Sequence, residues 1–374
     1  MIIGVPKEIK NHEYRVGMIP SSVRELISHG HQVFIETNAG NGIGISDDDY
    51  TAAGASILPT AADIFAKAEM IVKVKEPQAV ERALLKEGQI LFTYLHLAPD
   101  FPQTEELIKS KAVCIAYETV TDNMGRLPLL APMSEVAGRM SIQAGAQALE
   151  KSRGGCGLLL SGVPGVAPAK IVILGGGVVG ANAARMAVGL RADVTIIDKN
   201  IDTLRKLDEE FQGRAKVLFS TKDTVEQNVL NADLIIGAVL IPGAAAPKLV
   251  TKQNIKQMKA GSAIVDVAID QGGCFETSHA TTHAEPTYII DDVVHYCVAN
   301  MPGAVARTST YALNNATLPY ILKLANKGYQ RALLEDLGLL NGLNVIHGKV
   351  TCKAVADAFH IDYLDPKQAI AMFN

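Results

Sequence analysis

Apolar positions along this chain follow two rhythms. Short β-branched runs at residues 32–36, 70–75, 89–96 and 112–118 read as buried strands. Between them, residues 20–30 and 101–111 place their apolar side chains at helical spacing. Strand alternating with helix predicts parallel strands covered on both faces, so residues 1–128 form an α/β region of their own. Pro132 then opens a helix predicted over 133–149, rich in small residues that let other elements approach closely. Further strands are expected at 170–174, 217–220, 233–240, 262–268 and 296–300. After Pro302, residues 309–328 read as a long helix, and two shorter helical segments finish the chain.

The sharpest local signal is the stretch KIVILGGGVVGANAARMAVGLRADVTIID, from Lys170 to Asp198. It runs from an apolar strand through a tight turn into a helix and a second strand ending in an acid. Gly175, Gly177 and Gly180 occupy the three glycine positions of G-x-G-x-x-G. The first permits a sharp turn, the second lets backbone lie against a pyrophosphate, and the third lets helix and sheet close together. The helix that opens at Val178 and Val179 aims free N–H groups and its positive end at phosphates. Asp198 ends the next strand about twenty residues on, where a carboxylate can accept from an adenosine ribose. A carboxylate there repels a 2′-phosphate and favours NAD over NADP, although Lys199 and Arg205 nearby could offset that repulsion. The segment therefore predicts dinucleotide binding.

The expected fold class is α/β with two doubly wound domains. A dinucleotide-binding domain of residues 129–305 is inserted into a substrate domain of residues 1–128 plus 306–374, and long helices connect them.

Composition narrows the class. Of 374 residues, 48% are hydrophobic and 20% charged, which suits a packed α/β protein rather than a disordered one. Trp is absent, so Ala, Val, Ile and Leu must fill the core. The net charge of −4, with no Lys/Arg run, argues against nucleic acid or an anionic membrane surface as partner. The five cysteines are widely spaced with no C-x-x-C pair, which suggests neither a zinc site nor a disulfide framework. No signal-peptide-like stretch opens the sequence, so a cytoplasmic location is expected.

Ligands of such sheets bind beyond the carboxyl ends of the strands. Polar residues there are Lys75, His96 and Asp270, with Arg15 in an early loop. Each also has a plain structural reading. Arg15 can be a surface arginine, Lys75 can be solvated together with Lys73, His96 can be a core histidine, and Asp270 can be a turn-forming acid with Asp266 as rival. Taken together, a cationic pair and a His/Asp pair suit an amino or keto acid.

Longer stretches carry a resemblance. GVPKEIKNHEYRVG, VKVKEP, FTYLHLA, APMSEVAGRMS, GAVLIPGAAAPKLV, VDVAIDQGGCFETS and HYCVANMPGAVARTSTYALNNATLPY, with the glycine turn, span essentially the whole chain. The sequence closely resembles the alanine dehydrogenases, a family shared with the NAD-binding subunit of proton-translocating transhydrogenase. That resemblance implies reversible conversion of L-alanine, NAD and water to pyruvate, ammonium and NADH. It implies substrate binding by Arg15 and Lys75, and acid–base catalysis by His96 and Asp270. On the cofactor side it points to Ser134, Val178, Val179, Asp198, Ser220, Val239, Leu240, Val267, Ala268, Ile269, Val298, Ala299, Asn300 and Met301. It also implies a homohexamer. Some relatives carry acid and histidine ligands for magnesium in the helix after TLPY. Lys323 and Lys327 stand in those places here, so no metal is expected. A transhydrogenase subunit, a saccharopine-type dehydrogenase and a non-catalytic NAD-binding protein are the competing readings.

Overall fold

The computed structural model describes residues 1–239 and 246–373. Two compact units emerge, one of Met1–Met133 with Val305–Asn374 and one of Ser134–Ala304.

The first unit opens with β1 (Ile2–Val5), β2 (Gln32–Glu36), β3 (Ser56–Leu58), β4 (Met70–Val72), β5 (Ile90–Thr93) and β6 (Val113–Ala116), all mutually parallel. The second contains β7 (Lys170–Leu174), β8 (Asp193–Asp198), β9 (Lys216–Phe219), β10 (Leu234–Gly237), β11 (Ala263–Asp266), β12 (Thr287–Ile290) and β13 (Val293–Tyr296). The C-terminal part then returns β14 (Leu343–Ile346) and β15 (Lys349–Val350) to the first sheet. Among the described residues the sheet orders are β15-β14-β6-β5-β4-β1-β2-β3 and β12-β13-β11-β10-β7-β8-β9.

The second unit shows why its strands are apolar throughout. Ile171, Ile173, Val194, Ile196, Leu234 and Ile236 pack with helix Val178–Gly189 and with Ile142 and Ala144 of helix Ala131–Ala148. The alternate residues Val172, Leu174, Ile197 and Ile235 pack on the opposite face with Val225, Val229 and Ile255. Successive side chains of a strand point to opposite faces, so a sheet covered on both sides has no polar face.

Three expectations are corrected. The strand expected at 296–300 lies instead at Val293–Tyr296, because its partner β11 ends at Asp266 and the ladder stops at the Val265–Tyr296 pair. The C-terminal part is not helical alone, since β14 and β15 form an antiparallel hairpin beside β6. Its turn, His347-Gly348, has φ of 45° and 84°, and Asp291-Asp292 turns β12 into β13 with φ of 48° and 60°. Both are two-residue turns whose positive φ angles match the strand twist. Finally, the strand expected at 70–75 stops at Val72, and Lys73 is not solvated.

Candidate active site

In the first unit, β5, β4 and β1 lie side by side and parallel, so their carboxyl ends line up along one edge. His96 follows β5, Lys75 follows β4, and Arg15 lies in the loop after β1.

Arg15 is not a surface arginine, being only 2% exposed. Its Nε and Nη2 donate to the two carboxylate oxygens of Glu13 at 2.7 and 2.6 Å, and its Nη1 lies 3.1 Å from Met133 Sδ. Burial works against the charge, but the hydrogen bonds and charge of Glu13 outweigh it, and the guanidinium pKa stands above its ordinary value. A fork held at two points has a fixed orientation.

Lys73 is fully buried and donates to Glu81 at 2.7 Å and Glu8 at 3.2 Å. Desolvation opposes its charge, yet the two carboxylates raise its pKa. The same Glu8 accepts from the backbone N–H of Val74 at 2.7 Å and of Lys75 at 3.4 Å. The Lys75 carbonyl accepts from the Thr93 hydroxyl at 2.9 Å. Lys75 itself is half-buried in a bend, its backbone pinned from both sides.

His96 is not a core histidine. Its side chain is 47% exposed, between Leu95 and Leu97, which are both buried. The ring lies nearly parallel to that of Tyr94, 5.8 Å away. Tyr94 is buried, and its hydroxyl donates to the Leu129 carbonyl at 2.5 Å.

In the second unit the turn after β7 behaves as its glycines predict. Gly175 has φ of 99°, and a Cβ there would meet the Ala238 carbonyl at 2.7 Å. A Cβ on Gly180 would sit 1.8 Å from the Gly175 oxygen, so helix and turn touch through it. At Gly177 nothing lies within 4 Å of that position, which is open in front of the helix N-terminus. Asp198 accepts from the Gly176 N–H at 2.6 Å and the Asn200 N–H at 2.7 Å, tying the end of β8 to the turn. This cradle, an open glycine backbone beside a helix start and a carboxylate, fits a dinucleotide. Arg205 pairs with Asp202 at 2.9 Å.

The remaining predicted cofactor residues follow the same sheet edge. Ser220 follows β9 and bonds back to the Asp198 carbonyl, and Val239 follows β10. Val267, Ala268, Ile269 and Asp270 form a 3-10 turn after β11. Val298, Ala299, Asn300 and Met301 follow β13, with Asn300 at φ of 68°. Ser134 lies in helix Ala131–Ala148, and Leu240 falls outside the described residues. Asp270 is exposed, whereas its rival Asp266 is fully buried. Asp266 accepts from the Cys274 N–H at 2.9 Å and the Ser278 hydroxyl at 2.5 Å, and burial raises its pKa.

Sequence reasoning missed Glu8, Glu13, Glu118 and Tyr94. Buried polar side chains whose partners are distant in sequence leave no hydropathy signal, although the nearness of Glu13 to Arg15 is visible in NHEYR. Lys323 and Lys327, in the helix after TLPY, pair with Asp336 and Glu335.

Comparison with known proteins now bears on this geometry. The family model described as alanine dehydrogenase/PNT, N-terminal domain, matches residues 4–137, and its C-terminal counterpart matches residues 141–353. The chain belongs to the alanine dehydrogenase/PNT family. The alanine dehydrogenase of Halomonas elongata is 61% identical over 370 residues, covering 99% of this chain and all of that one. A solved L-alanine dehydrogenase is 55% identical with a TM-score of 0.94, over 96% of this chain and 99% of the other. A transhydrogenase structure from Sinorhizobium meliloti shares the fold, with a TM-score of 0.79 at 24% identity over 94% of this chain and 98% of its own. Membership of the alanine dehydrogenase/PNT family implies a nicotinamide cofactor. No described helix is long and apolar enough to cross a membrane.

Proposed function

We propose that the protein is an NAD-dependent L-alanine dehydrogenase that reversibly deaminates L-alanine to pyruvate and ammonium. The observation that carries this reading is that Arg15, Lys75 and His96 lie in the segments that follow three neighbouring parallel strands, β1, β4 and β5. They stand in a chain 61% identical over nearly its whole length to an alanine dehydrogenase. The transhydrogenase reading is not favoured, because that structure shares only 24% of its sequence with this chain.

The unit of residues 1–133 and 305–374 binds the substrate, and that of residues 134–304 binds the dinucleotide. Arg15, held rigid by Glu13, takes the substrate carboxylate and fixes the direction of Cα. Lys75 donates to the carboxylate or keto oxygen and stabilises charge growing there. Gly175, Gly177, Val178, Val179 and Gly180 offer backbone to the pyrophosphate, and Asp198 takes the adenosine ribose and disfavours a 2′-phosphate. Ser134, Ser220, Val239, Leu240, Val267, Ala268, Ile269, Val298, Ala299, Asn300 and Met301 complete the cofactor's surroundings. When bound, the nicotinamide supplies the hydride acceptor. The remaining chemistry is proton transfer on the substrate, as water adds to iminopyruvate and the carbinolamine collapses to pyruvate and ammonium. His96, outward and close to solvent, moves one proton, and Asp270 activates the water or holds the amino group. The protein is further proposed to work as a homohexamer in the cytoplasm, without nucleic acid or membrane partner.

NADH oxidation with pyruvate and ammonium, run against 2-oxoglutarate with lysine, tests the reading. Ammonium-dependent turnover with pyruvate alone is the expected result. No turnover with pyruvate, or turnover only with the larger pair, overturns it.

A further inference from the structure

His96 is held in an unusual backbone conformation, and one side chain accounts for it. Its φ is 49°, in the left-handed region that side chains with a Cβ rarely adopt. Strain of this kind persists only where the surroundings over-determine it. Beside it, the 3-10 turn Tyr117–Thr119 follows β6, the neighbour of β5, and carries Glu118. The Glu118 carboxylate accepts from the His96 N–H at 2.6 Å and from the Leu95 N–H at 3.3 and 3.2 Å to its two oxygens. Its Oε1 also lies 3.9 Å from His96 Nδ1. The exposures divide in the same sense, 13% for the Glu118 side chain against 47% for that of His96.

The surrounding contacts fix the loop on its other sides. Gln103 donates to the Leu95 carbonyl at 2.6 Å, and the Thr104 hydroxyl donates to the Leu97 carbonyl at 3.2 Å. Leu95 and Leu97 are thereby held inward while the residue between them is turned out. Tyr94, anchored through its hydroxyl, gives the outward ring a parallel surface.

We infer that Glu118 is the positioning residue of His96: its carboxylate clamps two successive backbone amides and so aims the imidazole. The inference rests on the proposed acid–base role of His96. A carboxylate suits the task better than an amide, because both oxygens accept, whereas a glutamine brings one acceptor and a competing donor.

A double-mutant cycle with His96→Ala tests it, because residues acting through one another are non-additive. Glu118→Ala is expected to lower kcat by roughly 10- to 100-fold, the scale on which a misplaced catalytic group is felt. Pyruvate KM and NADH binding by fluorescence titration should change less than about threefold. Glu118→Gln should recover part of the loss and, as the gentler change, carries the test if the alanine variant folds poorly. In the His96→Ala background, Glu118→Ala should cost nothing further. An equal loss in both backgrounds overturns the inference, because Glu118 then acts elsewhere. A near-normal kcat for Glu118→Ala, beside a severe loss for His96→Ala, overturns it while leaving the role of His96 intact. Near-normal turnover of His96→Ala removes the underlying reading itself.

Discussion

The two sheets end in carboxyl edges built on opposite principles. In the first unit the edge rests on buried charge, with Arg15 against Glu13 and Lys73 against Glu8 and Glu81. In the second it rests on bare backbone, with the glycine turn after β7 and a single carboxylate, Asp198, bonded to it. A small acid offers few atoms, so it is best recognised by rigid charges that cost little to order on binding. A dinucleotide offers a long phosphate-bearing chain, which a helix start and open N–H groups can follow. The contrast implies that the first edge is sensitive to lost charge and the second to added volume.

The hardest blow to the first edge is Lys73→Met, which keeps most of the side-chain volume but strands Glu8 and Glu81 in the interior. Breaking a buried ionic group by removing one partner costs about 3–5 kcal/mol. Denaturant unfolding should show a loss of that size, and adding Glu8→Gln and Glu81→Gln should restore much of it. A loss below about 1 kcal/mol would mean that the triad is not what holds Val74 and Lys75 in place.

In the second edge the matching experiment adds atoms. Gly180→Ala puts a Cβ where the Gly175 oxygen already sits, so stability should fall by about 1–3 kcal/mol and NADH binding with it. Gly177→Val meets open space and should keep the thermal midpoint while weakening NADH at least roughly 10-fold, because the side chain occupies the proposed phosphate path. Equal effects on stability at both positions would erase the distinction between a packing glycine and a binding one.

How much of this was readable beforehand follows the same division. The geometry of the glycine turn after β7 was legible in full, because it is local. Strand, glycines, helix and acid follow one another between Lys170 and Asp198. Lys75 and His96 were legible as residue types near strand ends, and Arg15 as one in an early loop, but not the partners that orient them. Glu8 reaches Lys73 from the loop after β1, and Glu118 reaches His96 from the turn after β6. Such pairs depend on strand order, which apolar rhythm does not encode. The hairpins β12–β13 and β14–β15 were missed because Asp-Asp and His-Gly stand where Asn-Gly would signal the turn.

Arg15→Ala should raise pyruvate KM by roughly 10- to 100-fold, matching the loss of a charge-assisted hydrogen bond worth about 1.5–3 kcal/mol. Arg15→Lys should recover little, because an ammonium cannot hold both oxygens of Glu13 as a fork does. An unchanged KM for Arg15→Ala would move the substrate carboxylate elsewhere. Asp198→Ala should have a smaller effect, narrowing the preference for NAD over NADP by about 10-fold, the scale of one lost charge contact. Equal efficiency with both cofactors in the unaltered protein would defeat that assignment.

The finest contrast between the units lies in their response to pH. Lys73 keeps a raised pKa, so its contribution to stability is fully present below the ordinary lysine value and is lost only as pH rises through the folded one. His295, fully buried on β13, behaves oppositely. Burial lowers its pKa below 6.5, aided by the charge of His279 and opposed by the Val293 carbonyl and Asp291. The unfolded chain therefore takes up a proton first as pH falls. The contribution of neutral His295 is present above pH 6.5 and is lost as pH falls through its folded pKa. Asp266, whose pKa burial raises, slopes the other way, so the His295 term must be read as a difference between proteins. Unfolding free energies of the unaltered protein and of His295→Gln, measured from pH 7.5 to about 5, should diverge most at the neutral end and converge toward acid. Parallel curves would show that His295 accepts its proton in place, through its contacts with Thr277 and the Val293 carbonyl, at no cost to the fold.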